Sequence, residues 1–134
     1  MKTKNTIRVI LADDHVMVRQ GIRRILEKDS QIQIIGESGT GMGAIHLVHE
    51  LKPDVLLLDL EMADIKGHDV ARQLRSSNCA VTILVLSACD DDHFIKETLK
   101  TGIDGYLSKS ESPANIRRAV YQFSARRNPL FMNL

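Results

Sequence analysis

Four places in the chain set a reactive side chain directly after a strand-like run. Asp13-Asp14 follow Ile7–Ala12, Asp59 follows Val55–Leu58, Ser87 follows Val81–Leu86, and Lys109 follows Gly105–Ser108. Gathered at one place, these groups would have a defined chemistry. Three carboxylates packed together repel and need a cation. Hard oxygens with room for water suit Mg²⁺, which keeps waters and leaves positions for a phosphoryl oxygen. Lys109 adds a point charge and Ser87 a hydroxyl donor. A carboxylate nucleophile, a metal and a cation around one open position make an acceptor for phosphoryl transfer. Positioning and charge neutralisation then supply most of the catalysis.

The elements between them must bring these residues together. Val55–Leu58 is an unbroken apolar run bounded by Pro53-Asp54, the pattern of a strand buried on both faces in a parallel sheet. Asp59 then lies at the carboxyl end of a central strand, where open α/β sheets place their chemistry. A carboxylate there is costly to desolvate unless something pairs with it. Strand and helix signals alternate along the whole chain. Val18, Ile22, Ile25 and Leu26 mark a helix over Val16–Lys28, before a short strand Ile32–Gly36 and a glycine-rich turn Glu37–Gly43. Ala44, Leu47, Val48 and Leu51 make one helical face that ends at Pro53. After the loop Ala63–Gly67 a helix spans His68–Ser76. Asp90-Asp91-Asp92 opens another that reaches Thr101 and closes on Gly102. Ser112-Pro113 starts the last helix, with Ile116, Ala119, Val120 and Phe123 inward. Parallel strands put their carboxyl ends on one edge, so the four positions converge.

The bulk numbers exclude other classes. At 134 residues the chain makes one domain, and a net charge of +1 creates no global field for nucleic acid or an anionic membrane. No apolar run has the length of a membrane span, and the Met-Lys-Thr-Lys start lacks the apolar core of a signal peptide, so the expected compartment is the cytoplasm. Cys79 and Cys89 flank a strand that holds them roughly 20 Å apart, too far to bridge, and read as reduced thiols.

The order Asp13-Asp14, Asp59, Ser87, Lys109 resembles the receiver domain of two-component response regulators, over essentially the whole chain. The resemblance implies a doubly wound five-stranded parallel sheet of order 2-1-3-4-5, flavodoxin/CheY-like, with helices on both faces. It implies that Asp59 is the phosphoacceptor, Asp14 a direct Mg²⁺ ligand and Asp13 a ligand through water, with the backbone carbonyl of Glu61 completing the set. Ser87 would be the switch hydroxyl, Lys109 the counter-ion, and Tyr106 the aromatic that rotates inward when Ser87 moves. The implied partner is a sensor histidine kinase or phosphotransfer protein, and the protein is a phosphoacceptor switch rather than an enzyme. A homodimer or output surface would lie around Tyr106, on Phe94, Lys96, Lys100, Arg117, Arg118 and Tyr121.

Finer features are similar to the NarL/FixJ family and its GacA/UvrY-type members: Ala-Asp-Asp-His at 12–15, Arg-Gln-Gly-Ile at 19–22, Leu-Lys-Pro-Asp-Val at 51–55 and Gly-Tyr-Leu-Ser-Lys at 105–109. Such proteins usually carry a LuxR-type helix-turn-helix output domain. Here one helix remains after Ser112 where three or four would be needed, so residues 1–125 read as the receiver and 126–134 as a tail or the start of a linker. DNA contact is expected only through an output domain outside this chain, which is an excised or a stand-alone receiver. Ala63 and Ser110 stand where many relatives have proline; the first leaves the rigidity of the loop after the acceptor open.

Plainer roles stand beside these. Asp59 could cap a turn, Ser87 could satisfy a loop amide, Lys109 could be a solvated lysine and Tyr106 a half-buried ring. His46 and His49 lack a third donor for a metal, and His15 reads as a helix-start residue beside the acid pair, not a ligand. Cys89, at the rim, is either a loop thiol or a gate to water. A haloacid-dehalogenase-like phosphatase would also use a strand-end Asp, with Glu61 as its acid, but there the nucleophile strand comes first. A flavodoxin-like carrier would have its FMN phosphate repelled by Asp13-Asp14.

Overall fold

The central strands are written in aliphatic and β-branched residues, and the helices between them carry apolar stripes that close over both faces of the sheet. The computed structural model describes residues 6–89 and 91–127. Strands and helices alternate: β1 (Ile7–Ala12), α1 (Val16–Glu27), β2 (Ile32–Ser38), α2 (Gly41–Leu51), β3 (Val55–Asp59), α3 (Gly67–Ser76), β4 (Thr82–Ser87), α4 (Asp92–Leu99), β5 (Gly105–Ser108) and α5 (Pro113–Arg127). The five strands form one parallel sheet in the order β2-β1-β3-β4-β5, the expected doubly wound topology.

Register decides where the reactive residues end up. Ala12 pairs with Leu58, Asp59 with Leu86, and Ser87 with Ser108. Four strands therefore finish within about a residue of one another, and their next side chains share an edge. Alternation along each strand divides the core in two. Ile10, Leu56, Leu58, Ile83 and Val85 pack under α2 and α3 against Ala44, Val48, Val70 and Leu74. Val9, Leu11, Leu57, Leu84 and Leu86 pack on the other face against Leu26, Ile116 and Val120. β3 and β4 are buried along their whole length. Truncating one of their leucines to alanine costs about 2–5 kcal/mol.

The opposite edge of the sheet is tied down by acids. The Asp54 carboxylate accepts the Arg8 amide at 2.8 Å, while the Arg8 guanidinium reaches the carbonyls of Leu51 and Lys52. Asp104 accepts the Ile83 amide at 2.8 Å and pairs with both Arg75 and Arg127 at 2.8 Å. Arg75 also donates to the carbonyls of Cys79, Val81 and Gly102. Gly102 lies at φ 96°, and a Cβ there would come within 2.7 Å of the Arg75 side chain, so both backbone and space demand glycine.

Several boundaries differ from the sequence reading. Glu37 and Ser38 belong to β2, paired with Leu11 and Ala12 after a register shift at Val9/Ile10, and α2 begins at Gly41. The expected turn over 37–43 thus shrinks to Gly39-Thr40. Thr40 is the N-cap, its side chain accepting the Gly43 amide at 3.0 Å. α4 ends at Leu99, not Thr101, and its N-cap is Asp91; Asp90 lies outside the described residues. α5 runs on through Arg127, and residues 128–134 lie outside the described residues. Tyr121, expected on an outer face, is half-buried and its hydroxyl donates to Asp29 at the end of α1. Among the described residues no helix is long and apolar enough to cross a membrane.

Candidate functional site

Asp59 is the last residue of the central strand and only 3% exposed. Its Oδ1 accepts the Glu61 amide at 3.2 Å and lies 3.4 Å from Lys109 Nζ. Its Oδ2 is buried and accepts no hydrogen bond from any described residue. Burial pushes the Asp59 carboxyl above its ordinary range, and the charge of Asp13 adds to this; the Glu61 amide and Lys109 pull the other way.

Asp13, also buried, is held by its own turn. Its Oδ1 accepts the His15 amide at 2.9 Å, its amide donates to the Ser38 carbonyl at 3.0 Å, and its Oδ2 lies 3.4 Å from Lys109 Nζ. Arg19 donates to the Asp13 carbonyl and pairs with Glu37 at 2.9 Å, which explains why Glu37 sits in the strand. Asp14 is half-buried, and its Oδ1 is a second carboxylate oxygen with no hydrogen bond from the described residues. His15 Nδ1 stands 3.1 Å from that atom and 3.3 Å from Asp13 Oδ1. Donor atoms of Asp13, Asp14, His15 and Asp59 all lie within 4.8 Å of one another.

Asp13 and Asp59 thus share one lysine, with Asp14 beside them. Two orphaned carboxylate oxygens at the edge of a packed core are an arrangement that a hard cation completes, because oxygen ligands of this kind suit Mg²⁺. The donor set fits such an ion.

Ser87 is buried, and its Oγ accepts the Cys89 amide at 3.1 Å. Tyr106 is partly buried against the core, and its hydroxyl donates to the Cys89 carbonyl at 2.6 Å. Both hydroxyls therefore grip the backbone of one loop residue. Sequence reading treated Cys89 through its thiol and passed over this backbone link. The Glu61 side chain lies exposed against Lys66 at 3.1 Å.

The loop after the acceptor strand has an anchor that sequence reasoning missed. Asp64 accepts the amides of Gly41 and Met42 at 2.8 and 2.9 Å, and these bonds hold its carboxyl below the ordinary range. The signal was available: α2 has no acidic residue in its first turn. With Ile65 packed on the core and the Gly67 amide bonded to the Leu60 carbonyl at 3.0 Å, the loop is held despite Ala63.

The sequence-predicted residues thus fall in two groups. Asp13, Asp14, Asp59 and Lys109 meet in one cluster, and Ser87 and Tyr106 meet at Cys89. His46 and His49 stay exposed on α2, His46 near Glu50 at 3.9 Å and His49 near Ser77 at 3.5 Å. A cavity of about 480 Å³ lies at the amino ends of the strands between His49, Lys52, Asp54 and Arg127, away from Asp59.

A family model described as the response regulator receiver domain matches residues 9–121. The response regulator protein VraR of Staphylococcus aureus is 38% identical over 119 residues, covering 89% of this chain and 57% of its own length. The chain therefore spans little more than half the length of the curated relatives it matches. Among solved structures, the signal receiver domain of a NarL response regulator from Mycobacterium tuberculosis superposes with a TM-score of 0.87 at 32% identity, covering 90% of this chain and 97% of that one. The isolated REC domain of RcsB from Salmonella enterica serovar Typhimurium, solved with the phosphomimetic BeF3-, gives 0.79 at 28% identity, covering 87% and 86%.

Proposed function

This chain belongs to the response regulator receiver domains, and on that premise we propose that Asp59 accepts a phosphoryl group in a Mg²⁺-dependent transfer that alters the surface around Tyr106. One observation carries the reading: a buried carboxylate with one oxygen anchored and the other unpartnered, beside a lysine shared with a second acid. The anchored Oδ1 fixes the plane of the carboxylate. An Asp59 oxygen forms the new bond to phosphorus as the phosphorus–nitrogen bond of a kinase phosphohistidine breaks, the imidazole keeping the electron pair. With a small acyl phosphate, the phosphorus–oxygen bond breaks and the carboxylate leaves.

Asp14 and Asp59 would hold Mg²⁺ directly, Asp13 through a water, and the Glu61 backbone carbonyl would complete the protein ligands. Bound there, the ion neutralises charge on the transferring phosphoryl oxygens. Lys109 supplies a second positive charge, moving its share from Asp13 and Asp59 to a phosphoryl oxygen. Ser87 accepts from the Cys89 amide, which leaves its own proton for donation. Drawing that hydroxyl toward Asp59 strains its hold on Cys89, whose carbonyl anchors Tyr106. Phosphorylation then favours one of two loop arrangements through contacts that only the modified form makes.

A sensor histidine kinase or phosphotransfer protein would be the donor, in the cytoplasm. The parent protein would be a LuxR-type transcriptional regulator that reaches DNA through a separate output domain. The test is intact mass after incubation with acetyl phosphate, with Mg²⁺ and with EDTA. A metal-dependent gain of one phosphoryl group, missing in Asp59→Asn, supports the reading. A gain that persists in Asp59→Asn places the acceptor elsewhere and overturns it.

A further inference from the structure

We propose that His15 is a nitrogen donor to the acidic pocket, which raises its preference for borderline transition-metal dications over Mg²⁺ beyond what its carboxylates alone give. This rests on the reading of the pocket as a metal site and adds its selectivity.

His15 is the N-cap residue of α1, yet its side chain makes no capping hydrogen bond. Its backbone is fixed instead by the amide bond to Asp13 Oδ1 at 2.9 Å, and the imidazole lies over the acids. Nδ1 comes within 3.3 Å of Asp13 and 3.1 Å of Asp14. An independent feature points to an ion at the same place: Asp59, 97% buried by its 3% exposure, has an Oδ2 without a partner among the described residues. The four donor atoms span no more than 4.8 Å, so one ion could face all of them.

The chemistry follows from ligand softness. Oxygen-only sites suit Mg²⁺, which demands near-octahedral oxygen ligation and sheds water reluctantly. An imidazole in place of one water favours Co²⁺, Ni²⁺ and Zn²⁺ over Mg²⁺, with affinity rising from Mn²⁺ through Co²⁺ to Ni²⁺. His15 is exposed at 66% of its side chain, so it can be replaced without disturbing the core.

The experiment is calorimetric titration of the full chain with Co²⁺ and with Mg²⁺, comparing wild type, His15→Ala, His46→Ala and Asp14→Ala, with the visible Co²⁺ spectrum recorded alongside. His15→Ala should weaken Co²⁺ by about tenfold or more, since even an outer-shell partner is worth that much. Mg²⁺ affinity should change by less than about twofold in the same variant, because oxygen ligands hold that ion. The Co²⁺ spectrum should change in His15→Ala and stay the same in His46→Ala. Equal responses of the two metals to His15→Ala, or tighter Co²⁺ binding without the imidazole, overturn the proposal. Mg²⁺ binding lost in Asp14→Ala keeps the pocket reading intact in that event. Binding of both metals that survives Asp14→Ala removes the pocket reading and this inference together.

Discussion

Replacing Asp59 with asparagine should make the metal-free protein more stable near neutral pH. The substitution removes one of the two carboxylates that share Lys109 and one of the three clustered there. The attraction lost, across 3.4 Å, is roughly 5 kcal/mol at an effective dielectric of about 20. The repulsions removed, from Asp13 and Asp14 oxygens within 4.8 Å, are roughly 3.5 kcal/mol each or more on the same scale. The desolvation of a buried carboxylate, several kcal/mol, disappears as well. Lys109 is not orphaned, because Asp13 remains 3.4 Å away. After relaxation and screening we expect a net gain of about 1–3 kcal/mol, or roughly 4–12 °C in Tm for a domain of this size. Thermal unfolding in EDTA measures it. The sign of the pH dependence is determined by the raised Asp59 carboxyl. In the wild type the penalty is full above the folded-state pKa and is relieved as pH falls toward the unfolded value. The gap between variant and wild type should therefore close as pH drops to about 4. Adding Mg²⁺ should also narrow it, because the ion stabilises the wild type more. An asparagine variant less stable than wild type in EDTA at pH 7, or a gap that ignores pH, refutes the electrostatic account.

Removing the shared cation tests the other half of the cluster. Lys109→Ala should retain slow acceptance of a phosphoryl group from acetyl phosphate, because Asp59 and the acid pair remain. It should lose the change in Cys89 amide exchange that phosphorylation produces in the wild type, read by hydrogen–deuterium exchange. At the opposite edge, Asp104→Ala should destabilise by roughly 2–4 kcal/mol in urea unfolding, because it strips the anion from half-buried Arg75 and leaves the Ile83 amide unpaired. Phosphoryl acceptance by the folded fraction should be unchanged.

Where one strong pattern decided an element, the sequence was enough. β1 and β5 begin and end at the expected residues, because a clean apolar run meets a charged residue at Asp13 and at Lys109. Convergence of Asp13, Asp14, Asp59 and Lys109 also followed, since strand parallelism puts carboxyl ends together, whereas Ser87 is engaged with the Cys89 backbone. The misses have a common origin in long-range partners. Glu37 and Ser38 look like turn residues beside Gly39, but Arg19 and the Asp13 amide hold them in the sheet. Tyr121 reads as an outer-face residue until Asp29, 92 positions earlier, takes its hydroxyl. The imidazole of His15 turns toward the acids through rotamer choice, which no periodicity reports. Asp64 caps a helix that begins 23 residues before it.

The two edges of the sheet treat their acids in opposite ways. At the amino edge Asp54 accepts the Arg8 amide, and Asp104 accepts the Ile83 amide and pairs with two guanidinium groups, so both act as rivets for strand register. At the carboxyl edge Asp59 Oδ2 accepts no hydrogen bond from the described residues, and Asp14 Oδ1 has only the His15 imidazole beside it. The fold thus separates a consolidated floor from a frustrated roof, joined by strands too well packed to bend. On the proposed function, a phosphoryl group arriving at the roof would act on the loop at Cys89, which Ser87 and Tyr106 both hold. Sequence drift at the floor would erode stability without altering the signal; drift at the roof would alter the signal while leaving, or even raising, stability.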